Sequence, residues 1–153
     1  MPTYFAYGSN LDPEQMARRC PSARVLGCAT LADHRLVFPR PDDFWDDAGV
    51  AGIEPAAGER VEGVAYELSE QDLAVLDEYE GIDGGDYRRQ RVHVTLAPLG
   101  EHIELWTYYA NPGQNGPLRP SRRYLDAILR GARHHGLPQY YVRMLEQTPT
   151  SDR

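Results

Sequence analysis

Apolar and polar positions change period several times along the chain, and each change marks a predicted element. The short apolar run Tyr4-Phe5-Ala6 gives way to Tyr7-Gly8-Ser9-Asn10, which predicts a strand ending in a polar loop. Asp12-Pro13-Glu14-Gln15 follows. It places an acid at the N-cap, proline at the first helical position and acid in the first turn, so a helix starts there. Two β-prone runs, Val25–Leu31 and His34–Phe38, are separated by Ala32-Asp33 and predict a hairpin or two adjoining strands. Pro39–Asp47 gathers prolines, four aspartates and two aromatics, a composition for a surface loop. Gly49–Pro55 and Arg60–Leu68 predict strands joined by a turn at Ala56-Ala57-Gly58-Glu59.

Ser69-Glu70-Gln71-Asp72 has capping-box spacing, with the Ser69 hydroxyl serving the Asp72 backbone and Asp72 reaching back. Leu73 and Leu76 continue at helical spacing to Glu80, and Gly81 ends the helix. Tyr87–Leu96 and His102–Tyr109 are the next strands, linked at Pro98-Leu99-Gly100, with Asn111-Pro112-Gly113 terminating the second. Pro120-Ser121 opens a long helix carrying Tyr124, Ile128 and Leu129 and stopped by Gly136. Pro138 begins a short terminal helix through Met144 and Leu145, and the tail Thr148–Arg153 is expected to be loose. Strands follow strands with a single helix between the middle pairs, which disfavours a doubly wound parallel sheet. The expected fold is a mixed α+β one, a mostly antiparallel barrel-like sheet with packed helices, in a single domain over 1–153.

Composition narrows the chemistry. A net charge of −7 disfavours a nucleic-acid partner, which needs clustered cations. All sixteen basic residues are Arg, which removes Schiff-base catalysis and lysine-dependent phosphate loops. Cys20 and Cys28 lack zinc-ligand spacing and are expected as buried or half-buried thiols, so no metal or other cofactor is expected. No basic leader precedes an apolar stretch and no apolar run approaches a membrane span. A cytoplasmic protein without membrane contact, as a monomer or homodimer, is the resulting expectation.

Two segments carry candidate chemistry. Tyr7-Gly8-Ser9-Asn10 can hold an anion, because backbone amides and the Ser9 and Asn10 side chains offer donors where glycine lets a ligand approach; a simple turn fits the same residues. In Leu76-Asp77-Glu78-Tyr79-Glu80-Gly81, three acids crowd a helix end whose dipole disfavours them. They are either solvated or kept for a task. His134 and His135 suit a helix C-terminus, and His34, His93 and His102 read as sheet residues. Arg88, Arg89, Arg91, Arg119, Arg122 and Arg123 read as solvated or acid-paired, and Asp42, Asp43, Asp46 and Asp47 as solvated, or as favouring a cationic amine if they overhang a cavity.

Phe5-Ala6-Tyr7-Gly8-Ser9-Asn10-Leu11, Leu76-Asp77-Glu78-Tyr79-Glu80-Gly81 followed by Tyr87, the strand end Tyr108-Tyr109, and Gly136-Leu137-Pro138 together resemble the γ-glutamylcyclotransferase-like family, in order and over nearly the whole chain. The resemblance implies that family's barrel-like fold and a small-molecule γ-glutamyl substrate, cleaved to 5-oxoproline and an amine. It implies that Tyr7, Gly8, Ser9 and Asn10 grip the glutamyl α-carboxylate and amino end, that Glu80 is the catalytic acid/base, and that Tyr87 and Tyr108 line the pocket. Asn after Gly-Ser fits a branch other than the one acting on glutathione. The chemistry is self-consistent: the substrate's α-amine supplies the nucleophile, so one carboxyl can take a proton from the ammonium and pass one to the departing amine. For that task Glu80 is expected to be desolvated by Tyr79, Tyr87 or Tyr108, with a raised pKa. The alternative is a noncatalytic small-metabolite-binding protein of the same fold.

Overall fold

The computed structural model describes residues 1–111 and 118–152. Five strands close into a barrel in the order β1 (Thr3–Ala6), β3 (Ala48–Glu67), β2 (Arg24–Asp42), β4 (Tyr87–Leu96) and β5 (Glu101–Ala110). Neighbours pair antiparallel except β5 and β1, which meet in parallel at Tyr4 and Trp106. Closure removes the open edges that the sheet would otherwise present. Helices α1 (Pro13–Arg19), α2 (Glu70–Tyr79), α3 (Arg122–His135) and α4 (Gln139–Glu146) pack on this cylinder, giving the mixed α+β barrel that the sequence predicts. Pro112, Gly113 and Arg153, parts of the expected strand-ending turn and tail, lie outside the described residues.

The four short strands expected between Val25 and Leu68 are instead two strands of 19 and 20 residues. Pairing passes from Ala32–Arg60 to His34–Pro55. Asp33, at φ 58°, therefore faces the excursion Ala56-Ala57-Gly58-Glu59, and the Gly58 amide donates to its carboxylate at 2.9 Å. Two turn-like sequences meet as one irregularity in a continuous ladder. The aspartate segment, expected as a free surface loop, becomes the tip of this ribbon. Trp45 at the tip is buried and packs edge-on against Tyr124 of α3, ring centroids 4.8 Å apart.

Helix ends follow the sequence closely. Asp12 caps α1 by accepting from the Glu14 amide, Pro13 takes the first helical position, and Ser69 caps α2 through the Asp72 amide at 3.0 Å. The expected reach-back of Asp72 does not form. Its carboxylate accepts from the Ser22 amide (2.9 Å) and hydroxyl, while the Ser22 hydroxyl accepts from the Ser69 amide at 3.0 Å. The capping box is thus completed by the loop between α1 and β2, which ties the two helices together. Gly81, at φ 65°, ends α2 and leaves Glu80 as its C-cap.

Buried positions of α3 recur at three- and four-residue spacing, Tyr124, Leu125, Ile128, Leu129 and Ala132, and join Phe5, Val61 and Val64 of the barrel in one core. Gly131 sits where α3 presses on the end of the first polar loop: a Cβ there would lie 2.2 Å from the Leu11 carbonyl group. The tail is tied rather than loose, with the Ser151 amide donating to the Pro120 carbonyl at 2.8 Å and Asp152 accepting from the Arg122 amide at 2.9 Å.

Candidate active site

Strand β1 delivers the chain into a 3-10 turn over Ser9–Leu11, closed by the Leu11 and Asp12 amides on the Gly8 and Ser9 carbonyls at 3.0 and 2.9 Å. The Ser9 and Asn10 amides precede that closure, and the opening of a helical turn leaves such donors without an internal acceptor. Gly8 has φ −108°, so the need here is for space and not for a left-handed backbone. A Cβ on it would meet the Tyr124 hydroxyl at 3.2 Å and the Ala51 Cβ at 3.3 Å.

Two side chains one turn apart on α1 brace the turn. Gln15 donates from Nε2 to the Ser9 hydroxyl at 2.8 Å and to Asn10 Oδ1 at 3.0 Å, and Arg19 donates from Nη1 to the same Oδ1 at 3.0 Å. Asn10 Nδ2 in turn donates to the Tyr4 hydroxyl at 3.0 Å. The Asn10 amide is therefore a strut between Arg19 and Tyr4. Ser9, used as an acceptor by Gln15, keeps its own proton to donate.

Tyr7, Gly8, Ser9, Asn10, Glu80, Tyr87 and Tyr108, the whole set singled out from the sequence, line one cavity of about 80 Å³. At roughly 10–15 Å³ per water, that volume takes about five to eight water-sized groups, enough for a small polar head. Glu80 enters it from the end of α2, where Gly81 turns the chain away.

The environment of Glu80 is built from tyrosines. Tyr7 donates to the Tyr108 carbonyl at 2.5 Å, Tyr87 to the Ala51 carbonyl at 2.6 Å, and Tyr108 to Asp77 at 2.7 Å. Burial first, and the Glu80 carboxylate second, push the Tyr4, Tyr7 and Tyr87 hydroxyls well above their ordinary range, so they remain neutral. Burial likewise raises Tyr108, with its bond to Asp77 next, and raises Tyr124. The same enclosure pushes Glu80 up to about 7. Burial is the leading cause; Arg19 opposes it, and Asp42 and Asp77 add to it. Glu80 retains some accessible surface inside the hollow, but protein surrounds its carboxyl and desolvates it. A carboxyl balanced near neutrality can both accept and return a proton.

The structure alters one expectation about this desolvation. Tyr79 is 57% exposed and lies under the Arg19 guanidinium, 4.2 Å from its centre, at the edge of the lining, while Tyr4, Tyr7 and Tyr124 join the expected Tyr87 and Tyr108 around the cavity that Glu80 enters. Of the arginines expected to be solvated or acid-paired, Arg89 pairs with Asp77, Arg91 with Glu104, Arg122 with Asp126 and Arg123 with Asp46. The cavity instead receives Arg19 and Arg40. Of the four tip aspartates, Asp42 reaches the lining, beside Trp45. The spacing of Gln15 and Arg19 was a signal for Arg19. Arg40 and Trp45 had none, because their positions depend on the ribbon running on to Asp42, and Tyr124 reaches the cavity only through the packing of α3 on that ribbon's tip. His135 closes the far end of α3 against the Leu11 carbonyl (3.2 Å), where burial lowers its pKa.

The site is thus a tyrosine-walled cavity in a closed five-stranded barrel, lined by a donor-rich turn and by a desolvated carboxyl. The family model for AIG2-like proteins matches residues 60–145. Over 97% of its length the chain is 34% identical to the γ-glutamylcyclotransferase of Bos taurus and to that of Homo sapiens, covering 79% of each. A solved γ-glutamyl cyclotransferase structure superposes with a TM-score of 0.93 at 32% identity, over 99% of this chain and 90% of that one. The chain belongs to the γ-glutamylcyclotransferase family of AIG2-like proteins.

Proposed function

We propose that this protein is a cyclotransferase that splits a γ-glutamyl amine or γ-glutamyl amino acid into 5-oxoproline and a free amine, with Glu80 as its acid/base. The observation that carries the reading is the single cavity shared by the Ser9–Leu11 turn and the desolvated Glu80 carboxyl.

The turn amides and the Ser9 hydroxyl hold the glutamyl head, so that its α-amine reaches the γ-carbonyl carbon. Glu80 takes a proton from the α-ammonium, whose ordinary pKa is near 8. The amine nitrogen then bonds to the γ-carbon, Glu80 gives its proton to the departing nitrogen as the bond from that carbon breaks, and Glu80 then takes the second proton that the ring nitrogen sheds and passes it to the freed amine, which leaves as an ammonium. No water is consumed. The tyrosine hydroxyls stay neutral and so provide dipoles without competing for the proton. A base near 7 matches an acid near 8 far better than an unperturbed carboxylate would, and such proton transfer contributes about 10²- to 10⁴-fold in rate. Holding the chain folded for ring closure supplies several kcal/mol more.

Nucleic acid has no part in this reading, in keeping with the −7 charge. Among the described residues no helix is long and apolar enough to cross a membrane, and we place the activity in the cytoplasm, in one domain over 1–153. The test is incubation of the protein with a panel of γ-glutamyl amines and γ-glutamyl dipeptides, scored for 5-oxoproline. Release from at least one class is expected, whereas release from none across the panel would overturn the reading. Ser9→Ala is expected to raise KM about tenfold or more while changing kcat less, since one hydrogen bond to a charged group is worth about 1.5–3 kcal/mol.

A further inference from the structure

Arg19 is a cation to which the reaction just described gives no task. It is half-buried at the end of α1 and lines the cavity. Among the described residues the arginine ion pairs involve other arginines. Its Nη1 donates to Asn10 Oδ1 at 3.0 Å, and its plane lies over the Tyr79 ring at 4.2 Å. A guanidinium has five N–H donors in a flat fork. Stacking takes one face and Asn10 takes one donor, which among the described residues leaves the other N–H donors for a planar anion.

The other cavity arginine is already used. Arg40 donates to Asp86 Oδ1 at 2.7 Å, to the Asp86 carbonyl at 3.1 Å and to the Asn111 carbonyl at 3.0 Å. Arg19 also shares its wall with the remaining anion donors, because Gln15, one turn before it, holds Ser9 and Asn10 in place. Glu80 lines the same cavity. A free α-amino acid head carries a carboxylate and an ammonium on one carbon, and a cation set beside a proton-accepting carboxyl matches that pair of charges.

We propose that Arg19 binds the α-carboxylate of the γ-glutamyl head and makes the cavity selective for substrates in which that carboxylate is free; the proposal rests on the cyclotransferase reading above. Tyr79 and Asn10 are the supports that aim it.

The test compares γ-glutamyl-alanine with its counterpart whose α-carboxylate is converted to the amide, using the wild-type protein, Arg19→Met and Arg19→Lys. Wild type is expected to favour the free carboxylate by about 100-fold in kcat/KM, in line with the cost of unpairing a charged hydrogen-bonded group. Arg19→Met should lose most of that ratio by falling far more on the acid substrate than on the amide, and Arg19→Lys should recover part of it. An equal fall on both substrates, as a merely structural role would give, or an unchanged ratio, overturns the proposal. Binding of 5-oxoproline and of its neutral carboxamide needs no turnover. It therefore decides the matter even if wild type yields no 5-oxoproline, the outcome that would sink the cyclotransferase reading itself. Wild type binding the two alike, or an Arg19 variant keeping the wild-type preference, counts against Arg19.

Discussion

At the scale of the residue, the site turns on what enclosure does to Glu80. A carboxyl held near 7 in the folded chain, against an ordinary 4.5, binds more protons folded than unfolded between those values. Stability therefore falls as pH rises through that window, and the cost remains at higher pH. Glu80→Gln removes the charge that causes it. The variant is expected to melt above wild type at pH 8 and close to it at pH 4.5, a difference that calorimetry at the two pH values checks; the same gap at both would mean that Glu80 is not desolvated. Tyr108→Phe isolates one wall of the enclosure. It leaves Asp77 without the hydroxyl that donates to it at 2.7 Å, and should cost about 1–3 kcal/mol in a denaturant titration.

At the scale of the element, the turn that holds Ser9 is placed by close packing from α3. Gly131→Ala forces a methyl group into the Leu11 carbonyl. Overpacking of this kind costs about 1–3 kcal/mol. It should also raise KM by moving the turn, and a melting curve with a steady-state titration would show both effects together. A variant as stable and active as wild type would mean that α3 does not set the turn. Helix starts and helix stops were legible in the sequence because they rest on local rules: Asp12 before Pro13, Ser69 three residues before Asp72, Gly81 after Glu80. The β2–β3 ribbon was not legible. Ala32-Asp33 and Ala56-Ala57-Gly58-Glu59 both carry turn chemistry, and only their pairing across the ladder turns them into a bulge. With that ribbon went Arg40, Asp42 and Trp45, which it alone carries to the cavity.

At the scale of the whole molecule, barrel closure and the ribbon tip make one enclosed site from segments distant in the chain. β1 supplies the turn, α2 the acid, β4 and β5 the tyrosines, and the tip the cover. Trp45→Ala opens the cover. The acid limb of kcat/KM is expected to move down from near pH 7 toward the ordinary carboxylate range as water reaches Glu80. The loss of a buried Trp should cost about 3–5 kcal/mol in stability. A pH–rate profile unchanged in this variant would show that the tip does not desolvate the acid. The account as a whole claims that binding and proton transfer belong to different residues of one cavity. Its most direct test is to measure 5-oxoproline affinity and 5-oxoproline production on the same preparation of Glu80→Gln. The predicted result is affinity within a few-fold of wild type and production lower by about 10² or more; near-wild-type production by that variant would contradict it.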